Sequence, residues 1–213
     1  MPYFKNNDVN MLVLHVPKTG GTSVEIYLST KYRIPFDNSS LFHGKPGFSV
    51  ALQHLTYRDI CESEELYKTI DLHNLRIVTV VRDPYHRIMS DLFYWKLIQP
   101  DTPPERVYEV IQAHVLNNRC HNHNIPQYEF ITDKSGNLVP EIKIMRTETL
   151  TEDMHAYGFR DFTLVCNKNG HNVNYDHYLN DDSIQLINTF YAKDFQLLGY
   201  PMKTAATPKS VPI

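Results

Sequence analysis

The sequence has few cysteines, no long apolar run and no excess of basic residues. Its three cysteines are scattered along 213 residues, which argues against a disulfide framework and favours a reducing compartment. The longest apolar runs, residues 11–14 and 77–81, are far too short to cross a bilayer. The first residues lack the apolar core of a signal peptide. We therefore expect a cytoplasmic or otherwise soluble protein without a transmembrane anchor.

The charge balance excludes a general nucleic-acid binder. Lysine and arginine number 21 against 24 aspartates and glutamates, which gives a net charge of −3 with neutral histidines. Nucleic-acid binding normally requires a basic surface, so we expect no nucleic-acid partner. The balance still allows a local basic pocket for a small polyanion.

Apolar, β-branched runs alternate with segments of helical spacing. Residues 11–15 and 75–81 are predicted to be buried strands, and residues 22–32 and 84–98 the helices that follow them. This pattern predicts an α/β fold of the P-loop type, with three layers and a central parallel sheet flanked by helices. Further helices are predicted at residues 54–66, 105–115, 149–157 and 181–191, short strands at 142–145 and 162–165, and a hairpin turn at 133–136. We assign residues 1–202 to one domain and residues 203–213 to a disordered tail.

A glycine-containing loop connects the first predicted strand to its helix. Two glycines allow a tight turn that brings backbone N–H groups close to a ligand, and the helix N-terminus adds partial positive charge. A lysine and three hydroxyl side chains complete a site suited to phosphate or sulfate, although a plain turn with a capped helix would explain the same residues. The lysine precedes the glycines, unlike the order in G-x-x-x-x-G-K-[ST]. The candidate residues are Lys18, Thr19, Gly20, Gly21, Thr22 and Ser23.

A second motif follows the other strand. Residues 77–81 end in Arg82-Asp83-Pro84, and Ser90 lies about two turns into the next helix. Open α/β sheets bind ligands at the carboxyl ends of their strands, so Arg82 and Ser90 can reach one anion from two sides. Together with the first loop, this motif suggests a ligand with two separate phosphate groups.

The two segments V-P-K-T-G-G-T-S and V-V-R-D-P-Y-H-R-I-M-S resemble the cofactor motifs of sulfotransferases. These enzymes use 3′-phosphoadenosine 5′-phosphosulfate (PAPS) and release 3′-phosphoadenosine 5′-phosphate (PAP). The resemblance implies that Lys18 to Ser23 hold the 5′-phosphosulfate and that Arg82 and Ser90 bind the 3′-phosphate. Lys168 lies where related enzymes carry a loop that closes over the cofactor, although a solvated surface lysine is the alternative.

Three further segments extend the resemblance over residues 9–201. Residues 53–57, 144–150 and 190–200 are similar to the branch that sulfates carbohydrates, including the heparan and chondroitin/dermatan enzymes. The resemblance implies an acceptor that is a small molecule or a glycan carrying a hydroxyl group.

Sulfuryl transfer requires charge stabilisation and a base. Lys18 can neutralise the negative charge that develops on the bridging oxygen of the donor. Among 11 histidines, His54 is our candidate for the general base, because it lies between the two motifs and matches the family's histidine. A polar cap or a packing residue is the alternative for His54, and we assign His15 to packing at the strand end.

The remaining alternatives concern metal and function. The segment Cys120-His121-Asn122-His123 has no second Cys/His pair at a matching distance, so we expect no metal site. Two other functions remain open for the chain. One is a nucleotide-dependent kinase of related fold, and the other is a protein that binds PAPS or PAP without catalysis.

Overall fold

The computed structural model describes residues 1–44, 50–117, 120–163 and 174–205. These residues form one four-stranded sheet in the order β1-β2-β3-β4. Strand β2 pairs in parallel with β3, and β3 in parallel with β4, whereas β1 is an antiparallel edge strand that the sequence analysis missed. The strands are β1 Tyr3–Lys5, β2 Asn10–Leu14, β3 Arg76–Val81 and β4 Ile142–Arg146.

The described residues also form eight α-helices, none of which is long and apolar enough to cross a membrane. They are α1 Gly21–Tyr32, α2 Tyr57–Glu62, α3 Glu64–Thr69, α4 Pro84–Tyr94, α5 Pro104–Leu116, α6 Leu150–Ala156, α7 Asp181–Phe190 and α8 Ala192–Leu198.

Alternating side chains of the sheet divide the core into two parts. In β2, Leu12 and Leu14 pack into one hydrophobic cluster, and Met11 and Val13 pack into the other. Helices α1 and α6 contribute to the cluster around Met11, whereas α4, α5 and α7 contribute to the cluster around Leu12. Since successive residues of a strand face opposite sides, helices cover both faces of the sheet. The predicted three-layer α/β fold is confirmed.

The three parallel strands end at one edge of the sheet. There β2 leads into the glycine loop, β3 into Arg82 and β4 into Thr147. The Thr147 hydroxyl lies 3.0 Å from the Val81 carbonyl oxygen and also contacts the Thr19 carbonyl oxygen. These contacts hold the glycine loop against the ends of its neighbouring strands, in the place where α/β sheets bind ligands.

Two predicted helices differ in length from the observed ones. Instead of one helix over residues 54–66, a 3₁₀ turn at Leu52–His54 precedes the two short helices α2 and α3. The cause is capping, because the Thr56 and Ser63 side chains each accept a backbone N–H bond that starts a new helix. The helix predicted to reach residue 98 ends at Tyr94, and Lys96 beyond it adopts a left-handed φ of 56°.

The region predicted as a hairpin contains only an isolated bridge. Thr132 pairs with Leu138 around the predicted turn, and a 3₁₀ helix at Gln127–Phe130 replaces the first strand. Of the strand predicted at residues 162–165, the first two residues lie outside any strand, and residues 164 and 165 lie outside the described residues.

Contacts with the fold continue to Lys203. Its backbone N–H donates to the Tyr85 hydroxyl at 2.7 Å, and its Nζ donates to Asp176 at 2.8 Å. Lys203 therefore packs on the domain although we assigned it to the tail. Residues 206–213 of that predicted tail lie outside the described residues.

Arg87 of α4 is a buried cation, with only 2% of its surface exposed. Its guanidinium donates to three backbone carbonyl oxygens, those of Pro17 at 3.1 Å, Ile125 at 2.8 Å and His123 at 2.7 Å. The first belongs to the glycine loop, and the other two belong to the segment that precedes the Gln127–Phe130 turn. Arg87 therefore fixes two separate parts of the ligand-facing edge to the same helix.

Replacing Arg87 by methionine is expected to lower the free energy of unfolding by at least about 3 kcal/mol, because each unpaired buried carbonyl costs about 1–3 kcal/mol. Urea unfolding measures the loss. The matched control is Arg106→Met, since Arg106 is exposed on α5 and pairs only with Glu109. The control should change stability by less than about 1 kcal/mol. Equal effects of the two substitutions would contradict the role of Arg87.

Candidate functional site

The glycine loop turns sharply between β2 and α1. Lys18 has a φ of 68° and Gly20 a φ of 88°, and Gly20 is the residue that precedes the first turn of α1. The backbone N–H of Ser23 donates to the Gly20 carbonyl oxygen at 3.0 Å. The Thr19 hydroxyl donates to the Val16 carbonyl oxygen at 2.8 Å, so in this structure it closes the loop. What the loop presents to an anion is the N-terminus of a twelve-residue helix.

Gly21 is needed because the chain passes close to His15. A Cβ atom at position 21 would lie 3.3 Å from His15 Nδ1, closer than side chains normally approach. The same Nδ1 is hydrogen-bonded to the buried carboxylate of Glu25 in α1. His15 is therefore held in place on both sides, directly before the loop.

Lys18 lies at the opening of the loop without an acidic partner. Its Nζ is 4.0 Å from the centroid of the Tyr94 ring, a cation–π contact. Within the described ranges it forms no ion pair with a carboxylate. Burial lowers the pKa of Lys18, Asp91 acts in the opposite direction and Arg82 adds to the lowering. Lys18 is thus a partly desolvated cation that is free to pair with a bound anion.

Arg82 adds a second cation beside the loop. Its Nη1 donates to the Lys18 carbonyl oxygen at 3.2 Å, and its guanidinium lies 5.7 Å from the centroid of the Tyr175 ring. The buried side-chain amide of Gln127 accepts from the Arg82 backbone N–H at 2.9 Å and donates to its carbonyl oxygen at 2.8 Å. Arg82 therefore has a fixed backbone and no carboxylate partner among the residues that the structure describes. Ser90 is buried on α4.

Three histidines meet next to the loop, and we call His15, His54 and His123 the histidine cluster. The ring centroid of His54 lies 5.3 Å from that of His15 and 4.8 Å from that of His123. Tyr94 stacks on His123 at 5.7 Å and carries Lys18 on its ring. The cluster thus connects His54 through His15 to the residue before the glycine loop, and through His123 and Tyr94 to Lys18 within it.

His54 is 6% exposed and forms no ion pair with a carboxylate of the described residues. Its Nδ1 atom is fully buried and has no hydrogen-bond partner in the described parts of the chain. Burial, together with the charges of His15 and His123, lowers the pKa of His54 to about 2. His54 is therefore neutral near pH 7, with a proton affinity below the range useful to a general base.

Asp91 of α4 is hydrogen-bonded to His123 of the histidine cluster. Its two carboxylate oxygens accept from His123 Nδ1 at 2.7 Å and from His114 Nε2 at 2.9 Å. Burial would raise the pKa of Asp91, but the hydrogen bonds from His114 and His123 outweigh it and hold the pKa well below its usual range. Asp91 is thus a buried carboxylate with two imidazole donors. Across the described ranges, no group of three or more potential ligands is arranged to hold a metal ion.

Comparison with protein-family models finds a match to the family described as the sulfotransferase family, over residues 1–201. The chain belongs to this sulfotransferase family. A match of this extent covers the glycine loop, the histidine cluster and every helix described above. Comparisons with curated proteins and with solved structures give no match.

In this sulfotransferase, the structure brings most of the predicted site residues together. Lys18, Arg82 and His54 lie around the glycine loop, as the contacts above show. Lys168 lies outside the described residues. The remaining predicted loop residues, Thr19 to Ser23, form the turn and the first residues of α1.

Sequence reasoning missed the polar residues behind this sulfotransferase site. Arg87 and Asp91 are charged residues on the buried, mostly apolar face of α4. The signal in the sequence is a pair of charged residues four positions apart on the buried face of a helix, because a buried charge requires partners. His123 was considered only as part of a metal alternative. No local signal indicates that it meets His54, since the two residues are far apart in the sequence.

The low pKa of His54 predicts acid-sensitive folding. In the unfolded chain, His54 binds a proton near its ordinary pKa of 6.5, whereas the folded protein keeps it neutral until about pH 2. The stability due to neutral His54 is therefore present above pH 6.5 and is lost as the pH falls, at about 1.4 kcal/mol per pH unit.

Urea unfolding between pH 7 and pH 4 tests this expectation with His54→Asn. The variant should show a slope against pH that is shallower by about 1.4 kcal/mol per unit below pH 6. The control is His73→Asn, because His73 is exposed and the one hydrogen bond of its imidazole to a described residue is with the neighbouring Asn74. An unchanged slope in His54→Asn would contradict the assignment.

Proposed function

We propose that this sulfotransferase transfers the sulfuryl group of PAPS to a hydroxyl group of a carbohydrate or glycan by in-line displacement. The observation that carries the proposal is the pair Lys18 and Arg82. Both cations lie at the glycine loop, in contact through the Lys18 carbonyl oxygen, and neither pairs with a described carboxylate. Two unpaired cations beside a helix N-terminus suit a ligand with several phosphate or sulfate groups.

The residues fit the two ends of such a donor. In the proposed complex, Lys18 and the loop backbone hold the 5′-phosphosulfate, and Arg82 with Ser90 binds the 3′-phosphate. Thr22 and Ser23 at the start of α1 add hydroxyl groups beside the helix N-terminus. Lys168 remains a predicted phosphate contact. No metal ion is needed for this arrangement, because Lys18 supplies the positive charge where the bridging oxygen leaves.

The proposed reaction also requires a group that removes the acceptor proton. His54 is the candidate that the family resemblance implies, and the histidine cluster lies beside the loop as such a role requires. With a pKa of about 2, His54 can serve only if the negative charge of the bound donor raises its proton affinity. The same low value favours a second candidate function, a protein that binds PAPS or PAP and does not catalyse transfer.

A carbohydrate acceptor is supported by the exposed aromatic rings next to Lys18. Tyr94 is 53% exposed and Trp95 39% exposed, and their rings meet edge to face at 5.3 Å. Aromatic rings held in this way offer an apolar face with a polar rim, which suits the mixed surface of a sugar ring. Their position beside Lys18 would bring a stacked sugar close to the donor.

Thermal unfolding with PAP tests the donor site. A ligand at about 100 times its dissociation constant stabilises a protein by roughly 2.7 kcal/mol, or roughly 5–10 °C for a chain of this size. We expect such a shift with PAP and none with ATP and Mg²⁺. A shift with ATP alone would indicate a kinase instead. The absence of any shift would contradict the proposed donor site.

Substitution of Lys18 by methionine is expected to remove most of the PAP shift, because it removes an unpaired charge from the loop. Lys31→Met is the matched control, since Lys31 lies at the other end of α1 and pairs with Asp161. The control should keep the full PAP shift. If Lys18→Met binds PAP as the control does, Lys18 is not a phosphosulfate ligand.

Transfer itself is measured with PAPS and a panel of lactose, chitobiose and a chondroitin oligosaccharide. Formation of a sulfated sugar together with PAP is the expected result. Binding of PAP without transfer to any member of a widened hydroxyl panel would favour the non-catalytic function.

A further inference from the structure

The histidines of the cluster differ in whether a protonated ring would find an acceptor for each of its N–H groups. A protonated imidazole carries two N–H groups, and each needs an acceptor when it is buried. Nδ1 of His54 is fully buried and has no partner among the described residues. A proton on His54 would therefore leave a buried N–H unpaired.

His123 is prepared to hold a proton. The Asp91 carboxylate can only accept, so the 2.7 Å contact means that His123 Nδ1 carries hydrogen. The neutral ring then presents an unprotonated Nε2, which forms no hydrogen bond with a described residue. If Nε2 takes up a proton, Nδ1–H still donates to Asp91. The second Asp91 oxygen is held by His114 at 2.9 Å, which fixes the carboxylate.

His123 also adjoins the surface that a sugar would approach. Its ring contacts Tyr94 at 5.7 Å and Trp95 at 5.2 Å, and both of these side chains are exposed. The Nζ of Lys18 lies 4.0 Å from the centroid of the same Tyr94 ring. Tyr94 thus lies between the His123 ring and Lys18, the cation that the proposed donor would contact.

We propose that His123, oriented by Asp91, is the catalytic base of the transfer. This inference rests on the proposed sulfuryl transfer. The acceptor oxygen forms a bond to sulfur while the bond between sulfur and the bridging oxygen breaks, and that electron pair stays on the phosphate of PAP. The acceptor proton moves to His123 Nε2 and later leaves to solvent. Asp91 acts as a positioning residue, and His54 remains neutral beside the pair.

Several charged groups face His123 and bear on its titration. Burial lowers the pKa of His123, and Arg87 and a protonated His15 add to the lowering, whereas the hydrogen bond to Asp91 and the charge of Asp91 oppose it. His54 contacts the ring directly, and Lys18 faces it across Tyr94. Bound PAP would add negative charge near Lys18, so the pH at which each histidine is protonated has to be compared in the PAP complex.

The first test requires no acceptor. The Cε1–H resonances of all histidines are followed against pH in the PAP complex, with assignments from His→Asn variants. We expect His123 to take up a proton at a higher pH than His54, and Asp91→Asn to lower its midpoint. If His54 is protonated before His123, the proposal is wrong.

The second test uses PAPS and whichever sugar of the panel is sulfated. His123→Asn should lower kcat by about 10²–10⁴-fold, the range for loss of a general base. It should keep the PAP-induced thermal shift, which separates this inference from the donor site itself. Asp91→Asn should also lower kcat and displace the acid limb of the pH profile. An activity loss in His54→Asn as large as that in His123→Asn would overturn the proposal.

The matched control is His114→Gln. His114 donates to the same carboxylate as His123 but does not contact Tyr94 or His54, and glutamine keeps an N–H donor for that carboxylate. The variant should therefore lose stability with less than about tenfold loss of kcat. If this control loses as much activity as His123→Asn, the effect is structural and the assignment of His123 fails. If PAP does not bind to the unmodified protein, the donor site is wrong and the inference falls with it.

Discussion

The guanidinium of Arg87 determines how the two halves of the candidate site sit against each other. The glycine loop follows β2, and the segment of His123 lies far along the chain, yet both supply backbone carbonyl oxygens to this one side chain. Charge-assisted bonds to carbonyls in a buried place are strong and directional. One side chain of α4 therefore holds the glycine loop and the segment of His123 together.

A series of buried hydrogen bonds connects Asp194 of α8 to the backbone of Arg82. Asp194 of α8 accepts the backbone N–H groups of Gln127 and Tyr128, and Gln127 in turn holds the backbone of Arg82. Burial raises the pKa of Asp194 to about 6, although those hydrogen bonds and the charge of Arg87 oppose the rise. Thus Lys18 and Arg82, the two cations of the candidate site, pair with no carboxylate that the structure describes, while Asp91 and Asp194 are occupied by imidazole and backbone donors.

The strand–loop–helix unit over residues 11–32 and the strand and helix around Arg82 were predictable from the sequence. An apolar run, a glycine turn and helical spacing are local signals, and they fix where the anion loop lies. Strand β1 was not predictable, because three residues carry too little periodicity. The break between α2 and α3 depended on whether the Ser63 side chain caps a new helix.

The candidate site also contains residues that the sequence indicates and residues that only the fold brings together. Its candidate anion-binding residues Lys18, Gly20 and Arg82 occur in contiguous motifs, so the sequence could indicate them. The neighbours of His54 could not be, because His123 reaches it through the fold and Asp91 is oriented by tertiary hydrogen bonds. The resemblance implied one histidine, whereas the structure contains a cluster whose members differ in their carboxylate support.

The close approach of Gly21 to His15 has a consequence for how this sequence can vary. A methyl group at position 21 would be in tight contact with the imidazole opposite, which would have to shift by a few tenths of an ångström, and Glu25 one turn later holds that imidazole in place. The three positions should therefore change together among homologues. A chain with a small residue in place of His15 would be free to carry alanine at position 21 and would no longer need an acidic residue at position 25. Covariation of these positions, rather than the glycine alone, would mark the members that keep a histidine against the loop.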